Sequence, residues 1–134
     1  MPIIESKYLG NLRCESIHLK SGQNLITDAP TDNQGKGEAF SPTDLLCCSL
    51  GTCMMTTMAI KAQNLNLNLK GLSIEVEKHM ASSPRKVAKA VIRMKWSEPE
   101  SDPKVIKILK DTALNCPVAL SLSDQLEQEV IFDF

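Results

Sequence analysis

The order of apolar and polar residues divides the chain into stretches with different periods. Near the start, residues 8–9 and 12–19 read as two short strands around Gly10-Asn11, the composition of a tight hairpin turn. Lys20-Ser21-Gly22-Gln23 marks the next turn, and residues 24–27 a third short strand. Residues 28–40 hold Pro, Asn and two Gly and form a loop; loops this long in a small domain are often functional. Ser41-Pro42-Thr43-Asp44 then sets a helix start, with Ser41 as N-cap, Pro42 at the first helical position and Asp44 closing a capping-box-like contact. The helix should run to about Gln63. It is apolar on nearly every side and is expected to be buried all round, as the spine of the fold.

Beyond that helix the period changes to two. Leu72, Ile74 and Val76 alternate with Ser73, Glu75 and Glu77; after a turn at Ser82-Ser83-Pro84-Arg85, Ala88, Ala90, Ile92, Met94 and Trp96 alternate with Lys89, Arg93 and Lys95. Asp102-Pro103 opens a second helix, whose face Val105, Ile108, Leu109, Thr112 and Ala113 follows the helical period. Asn115-Cys116-Pro117 starts a short further helix, and residues 128–134 form a closing strand. The order β-β-β-α-β-β-α-α-β predicts an α+β class in a single domain over residues 1–134.

Composition narrows the function. Apolar residues make up 43% and charged residues 23%, the balance of a folded soluble domain. A domain of 134 residues buries about two thirds of the surface that its unfolded chain exposes, so a partner subunit would help cover the apolar helix. Net charge is −1 with the two signs interspersed, and no basic stripe exists to neutralise phosphates; nucleic-acid binding is not expected. The apolar run over residues 45–60 carries Ser49, Thr52, Thr56 and Thr57 and is short for a bilayer span, so no membrane partner is expected. The first residues lack a basic stretch leading into an apolar one, which points to a cytoplasmic location.

The five cysteines are the candidate chemistry. Their number is odd, no Cys-x-x-Cys occurs, and His18 and His79 show no zinc-finger spacing, so neither a disulfide framework nor a metal site is expected. Cys53 falls in the middle of the apolar helix. There the helix dipole gives little help and an apolar setting raises a thiol pKa, so a reactive Cys53 calls for a cation, an Arg above all. Cys116 lies at a helix start, where unpaired backbone N–H groups favour a thiolate. Cys47 and Cys48 point away from Cys53 and read as packing residues; Cys14 follows Arg13 in a strand and faces the other way.

Two motifs carry a resemblance. Ser-Pro-Thr-Asp-Leu-Leu-Cys-Cys-Ser-Leu-Gly-Thr-Cys, ending at Cys53, is followed more than sixty residues later by Asn-Cys-Pro-Val around Cys116. In this order the pair resembles the OsmC/Ohr family, the osmotically inducible protein C and organic hydroperoxide resistance proteins. Tyr-Leu-Gly-Asn-Leu-Arg near the start and Gly-Lys-Gly-Glu in the long loop extend the resemblance over nearly the whole chain. It implies an intertwined homodimer with central helices wrapped by antiparallel sheets, each active site being built from both subunits. It also implies a thiol-dependent peroxidase that reduces organic hydroperoxides to alcohols and draws electrons from an external dithiol, with no metal or organic cofactor. Carried over residue by residue, Cys53 is the peroxidatic thiol, Cys116 the resolving thiol and Arg13 the activating cation. Leu46, Leu50, Met54 and Met58 would supply an apolar lining that favours greasy hydroperoxides.

The chain departs from the family pattern at one place. The family peroxidases carry a Glu directly after the helix-start Pro, where it bridges the Arg; here the residue is Thr43. Asp44 is next but is expected to point elsewhere on the helix and to serve the cap, and Glu38 in the preceding loop is a further carboxylate that could substitute; which of Thr43, Asp44 and Glu38 takes the place of the Glu stays open at this point. The departure keeps open a second reading, a dimeric small-molecule-binding or redox-sensing module on the same scaffold.

Overall fold

The computed structural model describes residues 1–100 and 102–134, and the chain divides into two compact units, Met1–Leu46 and Cys47–Phe134. The first unit is a three-stranded antiparallel meander of β1 (Ile4–Gly10), β2 (Arg13–His18) and β3 (Asn24–Asp28). Asn11 and Leu12 form the β1–β2 turn with φ of 54° and 63°; left-handed backbone at both positions is the turn that matches strand twist. The turn centre is thus one residue later than Gly10-Asn11. β1 also starts well before Tyr8. Its polar stretch Glu5-Ser6-Lys7 hides the period, and the register Glu5↔Ile17, Ser6↔Ser16, Lys7↔Glu15 holds it in place. β3 runs on to Asp28, beyond the expected loop boundary, because Asp28 pairs with Arg13.

The loop after β3 is tied to the sheet at both ends. The Ala29 N–H donates to the Leu12 carbonyl at 3.0 Å, and the Asp28 N–H to the Phe40 carbonyl at 3.1 Å. A single 3₁₀ turn, Thr31–Asn33, folds it back so tightly that a Cβ on Gly35 would run into the Ala29 carbonyl. α1 (Pro42–Asn64) then begins in the expected capping box: the Asp44 N–H donates to Ser41 Oγ at 3.0 Å, and the Ser41 N–H to Asp44 Oδ2 at 3.0 Å.

In the second unit, β4 (Leu72–Ala81), β5 (Lys86–Trp96) and β6 (Glu127–Asp133) form a sheet in that order. β4 and β5 are an antiparallel hairpin with an irregularity between His79 and Met80, whereas β6 runs parallel to β5. A parallel neighbour cannot be reached by a tight turn. α2 (Pro103–Leu114) and α3 (Pro117–Ser121) supply the crossover. Asp102 caps α2, accepting the Lys104 N–H at 2.9 Å, with Pro103 at the first position as expected.

α1 packs close to this sheet at Gly51, where a Cβ would meet Ile74 Cδ1. Its buried residues, Cys47, Leu50, Gly51, Met54, Met58 and Ala62, recur at three- and four-residue steps and define one face. The helix is therefore not buried all round within the chain: Thr52 and Thr56 are exposed and Ile60 is 58% exposed. Leu50, Met54, Met58, Ile92, Met94 and Leu109 are fully buried, each worth roughly 1.5–3 kcal/mol of transfer free energy. At the sheet's end Trp96 meets Phe134 edge-on, with ring centroids 5.6 Å apart, and its indole N–H donates to the Lys70 carbonyl at 3.2 Å.

Candidate active site

Cys53 lies on α1 one residue before the fully buried Met54 and is half-buried. Thr57, one turn on, gives its hydroxyl to the Cys53 carbonyl at 2.7 Å and lies 3.9 Å from the sulfur. Cys116 is fully buried and is the N-cap of α3, its Sγ accepting the Ala119 N–H at 3.4 Å. The fold brings these two sequence-distant thiols near enough to interact with one another. All five cysteines are free thiols.

The start of α3 accounts for this meeting. The first N–H groups of a helix lack internal partners and must find others. Pro117 has none to satisfy, the Val118 N–H is aimed at the two sulfurs, the Ala119 N–H serves Cys116, and the Leu120 N–H returns to the Cys116 carbonyl at 3.1 Å. Gln128 on β6 donates to the Ala119 carbonyl at 3.0 Å and pins the turn to the sheet.

The electrostatics of the pair differ from the sequence expectation on both sides. Burial pushes the Cys53 thiol up, but the Val118 N–H, the Cys116 S–H and the Thr57 hydroxyl favour its thiolate and together bring it below the ordinary thiol value. Among the described residues, no cation contributes to this shift. Cys116, expected to be acidic at a helix start, is instead raised: burial dominates, the Ala119 N–H opposes it, and the hydrogen bond to Cys53 and the negative charge there add to the rise. A five-residue helix whose N–H groups are divided between two sulfurs cannot offset full burial. Val118 and Thr57 were missed in the sequence; the i,i+4 spacing of Thr57 from Cys53 was the available signal. The apolar lining expected from Leu50, Met54 and Met58 is also not open, since all three are closed core.

Arg13 belongs to the first unit. It opens β2 and makes a fork-on-fork pair with Asp28, Nε to Oδ1 at 2.7 Å and Nη2 to Oδ2 at 2.9 Å. Nη2 also reaches Glu38 Oε2 at 3.2 Å. Asp28 in turn accepts the Glu38 N–H at 3.1 Å. The Arg13 hydrogen bonds hold the Asp28 carboxyl below the usual carboxylate range against the opposing effect of burial. Of the candidates near the helix start, Asp44 is in the cap and Thr43 Oγ1 lies 3.1 Å from Ser41 Oγ, so Glu38 is the one that reaches Arg13. Asp28, the main partner, stood in the expected loop and carried no signal until the register paired it with Arg13. Cys14 pairs with Tyr8 and Thr27 across the sheet, Cys47 is in the core and Cys48 is half-buried.

A two-sheet α+β scaffold with a contacting thiol pair on a central helix and a Cys-Pro turn defines the class. Residues 35–130 match the family model of OsmC-like proteins, and the chain belongs to that family. It is 48% identical to a protein from Psychrobacter arcticus 273-4, provisionally described as an osmotic stress induced and detoxification response protein. That crystal structure superposes with a TM-score of 0.93, covering 98% of this chain and 96% of the other. The organic hydroperoxide resistance protein OsmC of Legionella pneumophila, 15% identical, shares the fold with a TM-score of 0.76 over 98% of this chain and 96% of its own. An organic hydroperoxide resistance protein from Elizabethkingia anophelis, 9% identical, does so with a TM-score of 0.75 over 98% and 96%. None of the curated proteins compared with the chain matches it.

Proposed function

We propose that the protein is a thiol-dependent peroxidase that reduces organic hydroperoxides to alcohols. The observation that supports this most is the contact between Cys53, lowered toward its thiolate, and Cys116, held as a thiol against it. The Cys53 thiolate attacks the distal peroxide oxygen; the O–O bond breaks, the alkoxide takes up a proton and leaves as the alcohol, and Cys53 becomes a sulfenic acid. Cys116 then attacks that sulfur, water leaves, and a Cys53–Cys116 disulfide forms. An external dithiol returns both to thiols and is itself oxidised to a disulfide. Arg13 donates hydrogen bonds to the peroxide oxygens in this reading. The organic hydroperoxide resistance proteins that share the fold give it further support.

One equivalent of an organic hydroperoxide should yield a Cys53–Cys116 linkage by peptide mass spectrometry. Cys116→Ser should accumulate sulfenic acid at Cys53 and then over-oxidise, while Cys53→Ser should consume no peroxide. Full peroxide consumption by Cys53→Ser would sink the two-cysteine mechanism. The second reading, a binding or redox-sensing module, draws on the commitment of Arg13 to two carboxylates. Single-turnover oxidation without recycling by any dithiol would favour it.

The same reading takes the protein as a cytoplasmic homodimer. The uncovered side of α1 at Thr52, Thr56 and Ile60, and exposed apolar residues of the first sheet such as Ile4, Tyr8 and Leu25, are the surface a second copy would bury. A monomer by sedimentation at micromolar concentration would count against this.

A further inference from the structure

β6 carries a polar side chain at a core-facing position. Val130, Phe132 and Phe134 pack against the core of residues 47–134, and Gln128 stands in step with them, two positions before Val130. It is half-buried, and its amide donates to the Ala119 carbonyl of α3 at 3.0 Å. Packing alone holds α3 weakly. None of its five residues is buried, and Leu120 is 69% exposed. A groove of about 400 Å³ runs between α3 and the start of β6, lined by Leu120, Leu122, Leu126 and Gln128 among others. The other hydrogen bonds of α3 among the described residues stay within its own turn. The Ala119 N–H goes to Cys116 Sγ, the Leu120 N–H to the Cys116 carbonyl, and the Ser121 hydroxyl to the Pro117 carbonyl. Among the described residues, Gln128 is thus the one side chain that donates to α3 from another element.

The turn it holds carries both parts of the thiol chemistry. Cys116 is the N-cap of α3, and the Val118 N–H is one of the donors that favour the Cys53 thiolate. We propose that Gln128 is a positioning residue for the thiol pair: by holding the Ala119 carbonyl, it keeps the Cys116–Val118 turn set against Cys53. The proposal rests on the two-cysteine peroxidase reading above. Gln128 is uncharged, and among the described residues Cys116 is the one titratable group that acts on Cys53, so the amide works through backbone placement alone. A hydrogen bond weakens steeply as it lengthens and bends. A looser turn therefore deprives Cys53 of the Val118 N–H, and it prolongs the wait of the Cys53 sulfenic acid for Cys116. A waiting sulfenic acid meets a second hydroperoxide: one oxygen passes to sulfur, the O–O bond breaks, the alcohol leaves and a sulfinic acid remains.

The test uses the full chain. Gln128→Met keeps the length of the side chain and loses the donor. Iodoacetamide at rising pH should alkylate Cys53 of this variant along a profile shifted upward, about threefold or more slower than in the wild type at pH 7. Two equivalents of cumene hydroperoxide without reductant should leave about threefold or more additional sulfinic acid at Cys53, read by peptide mass spectrometry. Gln125→Met is the control. Gln125 accepts from exposed Lys86 at 2.8 Å, and both measurements should stay within about twofold of the wild type. The proposal fails alone if the wild type consumes hydroperoxide while either measurement in Gln128→Met matches it, or while Gln125→Met shifts both as far. A wild type inert toward hydroperoxide overturns the peroxidase reading and the proposal together. Should Gln128→Met not fold, Gln128→Thr decides, since threonine suits a strand but is too short to reach the carbonyl. It should show both changes, and wild-type behaviour overturns the proposal.

Discussion

Residues 1–46 and 47–134 use opposite materials. In the first unit the buried side chains are polar, Asp28 and Ser41, while Ile3, Ile4, Tyr8, Leu9, Leu12, Leu19, Leu25 and Phe40 stay exposed. In the second unit the buried side chains are apolar, and they come from α1, β5, α2 and the Cys116 turn. One unit is an apolar core carrying a thiol pair at its margin; the other is a sheet organised around an ion pair, with apolar surface left over. A three-stranded sheet with no apolar core of its own has little independent stability. The contrast therefore assigns stability of the single chain to the second unit, and positional order of Arg13 to the first.

The largest effect that could break this contrast is a cavity in the second unit. Leu50 is fully buried within the cluster of Met54, Ile92 and Leu109. Leu50→Ala should cost about 2–5 kcal/mol by the lost transfer energy and the void left behind. Urea unfolding monitored by Trp96 fluorescence measures it. A loss below about 1 kcal/mol would mean that the core does not carry the chain.

The same contrast decides what could be read in the sequence. β4, β5 and α2 were legible because a core inside the chain imposes its period on them: Leu72 and Ile74 are half-buried against exposed Ser73 and Glu75, and Leu109 and Ala113 are buried one helical turn apart. The helix starts at Ser41, Asp102 and Cys116 were legible because caps are local chemistry. β1 was only partly legible, since neither of its faces is covered and Glu5, Ser6 and Lys7 impose no period. The α1 composition announced burial but not by what, so one side reads as core while Ile60 stays open. The candidate site divides the same way. Motif resemblance brought Cys53, Cys116 and Arg13 forward, but Asp28 and Val118 matter through a register and a backbone N–H, neither of which residue identity reveals.

A smaller effect sharpens the chemistry at the margin of the core. The folded state lowers Cys53 and raises Cys116. As pH rises through the thiol range, ionisation of Cys53 adds stability that is fully present above its unfolded pKa and is lost again as pH falls through its folded one. Cys116 has the opposite sign, because the unfolded state releases that proton first. The two contributions oppose one another in global stability, so alkylation is the clearer measure. With iodoacetamide at rising pH and short times, Cys53 should gain reactivity at a lower pH than Cys116, read peptide by peptide. The reverse order would remove the hydrogen bonds at the start of α3 as the cause of Cys53 acidity.

The smallest expected effect lies where α1 begins. Asp44 takes the Ser41 N–H and returns its own to Ser41 Oγ, so its carboxylate works as a cap, with a negative charge at the positive end of the helix. Asp44→Asn keeps an acceptor oxygen for the Ser41 N–H and removes only the charge. The charge–dipole contribution of a first-turn carboxylate is roughly 0.3–1 kcal/mol, and the loss on unfolding should fall there. Because Arg13 is bound by Asp28 and Glu38, Asp44→Asn should also leave peroxide consumption within about twofold of the wild type, a change of under 0.5 kcal/mol in barrier. A tenfold fall in kcat/KM with little loss of stability would mean that Asp44 takes the part of the missing family Glu during turnover, and that the division between a structural cap and an arginine anchor has been drawn at the wrong residue.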